Sequence, residues 1–245
     1  LKMNARPRAK FRQDKNANGD EALMAEGVPG TIPYFVASQV RELIMNGTFR
    51  PGQPLREQDL EQRFSISRGP VREALRLLEV RGLVSHVPRR GFRVKLYEDR
   101  ELRDHFMLRG ELEALAILQL TGIEDLSPLV DELTTARAEL TRARDANDPR
   151  AYLQSIRSFY DLIANFSGNT PLREVLDRLN DAIEPVRYNL LLRKLGESQT
   201  LDYTGIILDA LAERRFQDAA KAKRAHVMSN LDNILTAYRE ARYEP

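Results

Sequence analysis

The chain has 245 residues, of which 42% are apolar and 30% charged, with no cysteine and only three histidines. That length allows one or two domains at about 150 residues each, and the absence of thiols excludes disulfides, thiolate zinc sites, iron–sulfur clusters and cysteine nucleophiles. The net charge of +2 is segregated: residues 29–95 carry 12 Lys and Arg against 6 Asp and Glu, whereas residues 96–245 carry 20 against 26. A basic block suited to a polyanion therefore precedes an acidic block with a different partner.

Residues 1–28 mix Lys, Arg, Asn, Gly and Asp without periodicity and read as a mobile tail. Val36, Val40, Leu43 and Ile44 fall at helical spacing and predict a helix over 33–46, which Asn46-Gly47 ends. Phe49-Arg50-Pro51-Gly52 is a turn sequence. A short helix fits Glu57 to Phe64, with Leu60 and Phe64 one turn apart. Ser67 suits the N-cap of a third helix, and Pro70 is tolerated in its first turn, where the missing N–H has no partner to lose. That helix runs to about Arg81, with Val71, Ala74, Leu75 and Leu78 on its buried face. Two short strands follow, Leu83–Val87 and Gly91–Lys95, joined by a tight Pro88-Arg89-Arg90-Gly91 connection.

After Lys95 no strand is expected. Helical patterns fit residues 98–121, 126–144, 149–166, 171–195, 200–214 and 216–241, and Pro185 should kink or split the fourth of these. Residues 96–100 form the shortest plausible linker. The longest unbroken apolar run, Ala114 to Leu118, is five residues, far short of the about 20 that cross a bilayer. The N-terminal residues lack the apolar core of a secretory signal, so no membrane association and a cytoplasmic location are expected.

The third helix carries Arg68, Arg72 and Arg76, which span about 80° of arc at 100° per residue. They lie to one side of the apolar stripe, so one helix shows one face to its own core and an arginine face outward. A helix of that width fits the DNA major groove, where arginine pairs with guanine. Gly69 and Pro70 allow close backbone approach. Arg89, Arg90 and Gly91 stand on a narrow hairpin tip, which suits a phosphate row or the minor groove. A solvated arginine face is the bland alternative.

The segment Ser67-Arg68-Gly69-Pro70-Val71-Arg72-Glu73-Ala74-Leu75, with Leu55-Arg56-Glu57 before it and Gly82-Leu83-Val84 and Arg90-Gly91-Phe92-Arg93-Val94 after it, resembles the winged helix-turn-helix of GntR-family transcription regulators. Arg109, Leu112-Glu113, Ala116, Ser167-Gly168-Asn169, Asp209-Ala210-Leu211 and Arg224-Ala225-His226 are similar to the all-helical FCD ligand domain of the FadR subfamily. The resemblance implies a mainly α protein. Its winged helix-turn-helix, three helices plus a β-hairpin, occupies residues 29–95, and an all-α antiparallel bundle of six or seven helices occupies residues 101–245. It also implies a homodimer on a double-stranded DNA operator of inverted-repeat form, most commonly as a repressor. Ser67, Arg68, Gly69, Arg72, Arg89, Arg90 and Gly91 would meet the DNA. Gln58 stands where some members place a DNA-contacting arginine.

In many FCD domains one Asp and three His hold a divalent metal. The matching positions here read Ile156, Tyr160, Thr204 and His226, so no metal and no cofactor are expected. The pocket would instead take a small organic acid through Arg109, Arg157, Tyr160, Arg187 and His226. Each has an ordinary alternative: Arg109 and Glu113 are spaced to pair with each other, Tyr160 and His226 could be hydrogen-bonded core residues, and Arg157 and Arg187 could be exposed or ion-paired. His86 and His105 receive no role. Three readings remain open: a ligand-responsive regulator, a DNA-binding dimer that has lost effector control, and an enzyme built on the helical domain. No phosphate loop, nucleophile elbow or HExxH motif supports the last.

Overall fold

The computed structural model describes residues 31–243; the segment read as a tail, residues 1–28, lies outside the described residues. The first unit contains α1 (Ile32–Met45), β1 (Pro54–Leu55), α2 (Glu57–Phe64), α3 (Arg68–Val80), β2 (Val84–Val87) and β3 (Gly91–Val94). The second contains α4 (Asp99–Gln119), α5 (Ser127–Asp145), α6 (Pro149–Phe166), α7 (Thr170–Lys194), α8 (Thr200–Ala212) and α9 (Phe216–Tyr243). Short 3₁₀ turns follow α4 and α7. The architecture is mainly helical: a winged helix-turn-helix followed by an all-α bundle.

Local chemistry sets the helix starts. The Asp148 carboxylate accepts from the backbone N–H groups of Arg150 and Ala151, both at 3.0 Å, and Pro149 follows it where its missing N–H costs nothing. The Asn169 side-chain oxygen caps α7 in the same way, 3.0 Å from the Leu172 nitrogen. Ser67 does occupy the N-cap of α3, but its side chain makes no capping bond.

Two details differ from expectation. The expected hairpin forms as β2 and β3, but a further strand joins it, giving the order β1-β3-β2, antiparallel throughout, with Leu55 opposite Phe92 and His86 opposite Phe92 on the other side. The extra strand has two residues, too few for an alternation to be visible in sequence. The Gln53 carbonyl holds it in place by accepting the Val94 N–H at 3.0 Å. Of the two outcomes expected at Pro185, a kink or a split, the split does not occur, since α7 runs unbroken from Thr170 to Lys194 around it. Packing on both sides, with Ile183 and Val186 buried, outweighs the one backbone bond that proline removes.

Three apolar clusters hold the chain together. Val36, Val40, Leu60, Val71, Leu75, Leu78 and Phe92 form the core of the winged unit. Leu133, Leu140, Tyr152, Phe159 and Ile163 sit in the main core of the bundle. Tyr97, Leu102, Phe106, Ile183, Leu231 and Leu235 form the third, around the start of α4 and the middle of α7 and α9. Each fully buried side chain of this size contributes roughly 1.5–3 kcal/mol.

Residues within the expected linker are themselves bonded into the fold. α4 already begins at Asp99, and Tyr97 is buried. The Tyr97 N–H donates to the Tyr238 hydroxyl at 2.8 Å, and the Tyr97 hydroxyl donates to the Ala182 carbonyl at 3.3 Å. Burial pushes the Tyr97 hydroxyl well above the usual tyrosine range. Ion pairs join the units around it: Arg41 with Glu184, Arg81 with Asp181 at 3.4 Å, and Arg150 with Glu42 at 2.8 Å.

Gly82 marks the closest approach. Its φ is +75°, and a Cβ placed there would stand 2.8 Å from the Ala182 Cβ. Gly82→Ala is expected to combine left-handed strain of about 1–3 kcal/mol with a steric clash. Gly47→Ala, at φ +78° in open space, should show the strain alone. Urea unfolding should rank the two variants in that order, and adding Ala182→Gly should restore part of the Gly82→Ala loss.

Candidate nucleic-acid interface and effector cavity

The apolar side of α3 is anchored by Val71, Ala74, Leu75 and Leu78, all buried. Its other side presents Arg68 and Arg72, whose side chains are 70% and 56% exposed. Both reach back to one carboxylate at the start of α2: Arg68 Nε bonds Glu57, and Arg72 Nε lies 3.5 Å from Glu57 Oε1. Arg68 is held further into the charged state by that hydrogen bond and by the Glu57 charge. Arg76 differs from the other two. It bonds Glu79 at 2.7 Å, and its guanidinium carbon sits 5.3 Å above the Phe92 ring, which ties the helix to the sheet.

Ser67, Gly69, Arg89, Arg90 and Gly91 are all exposed. The hairpin turns through two left-handed positions, Arg89 at φ 64° and Gly91 at φ 78°, and the Arg90 N–H closes it on the Val87 carbonyl at 3.0 Å. This keeps the two arginines on the tip and away from the core. A helix with an arginine face and a short cationic hairpin are thus carried on one small core. Sequence reasoning missed Glu57, whose role needs the α2–α3 crossing to be known.

In the bundle, Arg109, Tyr160, Arg187 and His226 converge, whereas Arg157 does not join them. Arg157 bonds Asp181 at 2.5 Å and lies 3.4 Å from both Asp161 and Asp177. Arg109, Arg187 and His226 border a cavity of about 60 Å³ together with Phe106, Ile156 and Thr200, and Tyr160 stands behind it, hydrogen-bonded to His226. Glu113 is the buried counter-charge: Arg109 Nη1 donates to it at 2.7 Å, and Lys223 Nζ forms an ion pair with its other oxygen at 2.5 Å. Lys223 also sits 3.5 Å above the Tyr160 ring. Arg109 Nε is buried without a hydrogen-bond partner.

The electrostatics follow from burial among like charges. Burial alone would raise the Glu113 carboxyl, but Arg109 and Lys223 overcome it and hold that pKa below its usual range. Burial pulls Lys223 down to about 7 against the attraction of Glu113. Arg187 is lowered to about 10, first by burial and then by Arg109. Lys223 was not singled out from sequence. Its position three residues before His226, on the same face of α9, was the signal available.

The donor set does not fit the divalent metal of related domains. Ile156 offers no donor, and the Thr204 hydroxyl donates to the Leu201 carbonyl at 3.1 Å. Both ring nitrogens of His226 are engaged, Nδ1 with the Tyr160 hydroxyl and Nε2 with the Thr200 hydroxyl, each at 3.1 Å. Among the described residues no three His, Cys, Asp or Glu cluster as ligands. One imidazole cannot hold such an ion tightly.

His226 is kept neutral, first by burial and then by the charges of Lys223, Arg109 and Arg187, with its pKa well below 6.5. An unfolded histidine titrates near about 6.5. Below that pH the unfolded chain binds a proton that the folded chain refuses, so stability falls on acidification by up to about 1.4 kcal/mol per pH unit for this group. Urea unfolding between about pH 7.5 and about pH 5.5 should show this slope reduced in His226→Gln. An identical slope in the variant would contradict a neutral buried ring.

Comparison with known proteins follows the same division of the chain. Residues 34–94 match the family described as bacterial regulatory proteins, gntR family, and residues 104–229 match the FCD domain. The HTH-type transcriptional regulator YdhC of Bacillus subtilis is 31% identical over 157 residues, covering 62% of this chain and 68% of its own. The HTH-type transcriptional repressor GlaR of Escherichia coli is 27% identical over 201 residues, covering 79% and 91%. The solved structure of E. coli McbR/YncC shares the fold, with a TM-score of 0.69 at 23% identity over 86% of this chain and 100% of that one. Among the described residues no helix is long and apolar enough to cross a membrane. The chain therefore belongs to the GntR family of bacterial regulatory proteins, in its FCD-bearing form, and is a DNA-binding transcription regulator rather than an enzyme.

Proposed function

We propose that this regulator binds a short inverted-repeat operator as a homodimer in the cytoplasm, represses transcription, and responds to a small organic acid held in the bundle. The observation that carries the DNA reading is the exposed pair Arg68 and Arg72 on a helix whose opposite face is locked into the core. Ser67 and Gly69 flank them, and Arg89, Arg90 and Gly91 would touch the adjoining groove. Two-fold symmetry of the protein would then be matched by two-fold symmetry of the operator.

An exposed apolar strip supports pairing with a second copy. Leu108 and Leu115 on α4 are 51% and 41% exposed, and Met228 on α9 is 53% exposed. Glu111 and Arg224, hydrogen-bonded at 2.9 Å, lie between α4 and α9 beside them. Apolar area rimmed by paired charges is the composition of a subunit interface. Repression is supported by the name of the relative GlaR.

For the effector, Arg109 and Arg187 supply donors, with His226 on the cavity wall and Tyr160 holding the His226 ring. A carboxylate would satisfy the orphaned Arg109 Nε and offset the surplus of positive charge over Glu113. The cavity of about 60 Å³ holds about two waters at about 30 Å³ each. An acid therefore enters only if α7 and α9 part around it, and operator affinity changes only by the difference in its affinity for the two states. The same small volume favours a second reading, a DNA-binding dimer without effector control.

Two measurements test these readings. Arg68→Ala with Arg72→Ala should reduce discrimination between operator and random duplex by about 1–3 kcal/mol for each lost base contact and flatten the salt dependence. A variant that still selects the operator as well as the parent would overturn the DNA reading. A thermal-shift series of small organic acids should contain a ligand that stabilises the parent, by about 2.7 kcal/mol at a hundredfold excess over Kd, and fails to stabilise Arg187→Ala. A series with no stabilising acid would select the reading without effector control.

A further inference from the structure

A second cavity lies at the joint between the two domains, has a volume of about 280 Å³, and takes its walls from both. We propose that this joint is a second ligand site, built for a small aromatic monocarboxylate.

The walls argue for that chemistry. Ile44 and Leu83 from the winged unit face Ala182, Pro185 and Val186 from α7, and Ile44, Leu83, Ala182 and Val186 are buried. An inorganic anion would leave this surface unmatched. Tyr97 and Tyr238 line the same space, with their polar tips already used: one hydroxyl donates to the Ala182 carbonyl, and the other accepts the Tyr97 N–H. Their rings are therefore fixed in place as wall, the arrangement that favours an aromatic body.

Charge sets the sign of the ligand. The lining includes Arg50, Lys95 and Arg193 and no carboxylate. Lys95 Nζ stands 5.0 Å above the Tyr97 ring. Lys95 meets Glu101 at 2.7 Å and Arg193 meets Glu240 at 3.1 Å, both acids outside the lining, and Arg50 is engaged as well. Both pairs are partly exposed, so they screen the cations without neutralising the space. The volume approaches the about 300 Å³ at which small-molecule sites begin, and domain boundaries are where such sites concentrate. The space shares no lining residue with the bundle cavity, so this site stands or falls independently of the effector reading.

Calorimetric titration of the full chain with benzoate, benzyl alcohol and benzylamine tests the proposal. Benzoate should bind with a millimolar Kd, at least about tenfold more tightly than either of the others and than inorganic phosphate. Lys95→Gln should weaken benzoate about tenfold, Val186→Phe should abolish binding by filling the space, and Arg187→Ala should leave it unchanged. Lys95→Gln changes a partly exposed side chain and keeps the test decisive should Val186→Phe fail to fold. Absence of benzoate binding, equal binding of benzyl alcohol, binding that survives the Lys95 change, or loss of binding in Arg187→Ala would each overturn the site.

Discussion

The middle of α7 is the element against which the rest of the molecule is positioned. Asp181, Ala182 and Glu184 meet the winged unit through Arg81, Tyr97 and Arg41. Arg187 and Leu191, about one and two turns beyond Ala182 and Glu184, border the bundle cavity. From Asp181 to Arg187 the helix advances about 9 Å. The DNA-facing unit and the charged interior therefore rest on one short rod. Arg157 strengthens the same region, because it shares Asp181 with Arg81 and so links α6 to the winged unit through a single carboxylate. The buried Tyr97 bonds lie alongside, where water cannot compete for them.

The charged interior of the bundle is the least economical part of the fold. Glu113 lies between Arg109 and Lys223, all nearly inaccessible to water, with Arg187 close enough to shift the titration of its neighbours. Burying such groups costs several kcal/mol per ion, and well-packed apolar side chains would be at least as stabilising. The cluster is thus poor evidence for stability. Its value lies in orientation: His226 is fixed between two hydroxyls, and Lys223 is fixed over a ring.

How much of this was legible in the sequence depended on the range of the interaction. The boundaries of α2 and α6 were readable because period, caps and prolines are local signals. β1 was not, since its two residues become a strand only when β3 lies beside them. Pro185 signalled a kink or a split, and the split does not occur where packing holds both sides of the helix. Among the site residues, Arg109 and Glu113 were correctly suspected of pairing because they are four residues apart. The partners of Arg157 on α7 are 20 and 24 residues away, and no pattern announces them. Arg76 shared the spacing of Arg68 and Arg72 and stays exposed, yet its contacts are with a ring on β3 and an acid one turn on rather than with Glu57. Family-specific residues carried the functional class, whereas the contents of the cavity came only from three dimensions.

Glu57 gives the winged unit a property that its net charge hides. One carboxylate acts as a placeholder for a phosphate, holding two guanidinium groups beside it before any duplex arrives. The ordering entropy of those long side chains is partly spent in advance. Any polyanion must displace the placeholder, and weak, badly aligned encounters recover less than they disrupt. On the proposed reading, the internal acid works as a threshold that trims casual adhesion along the genome and leaves well-registered contacts to prevail.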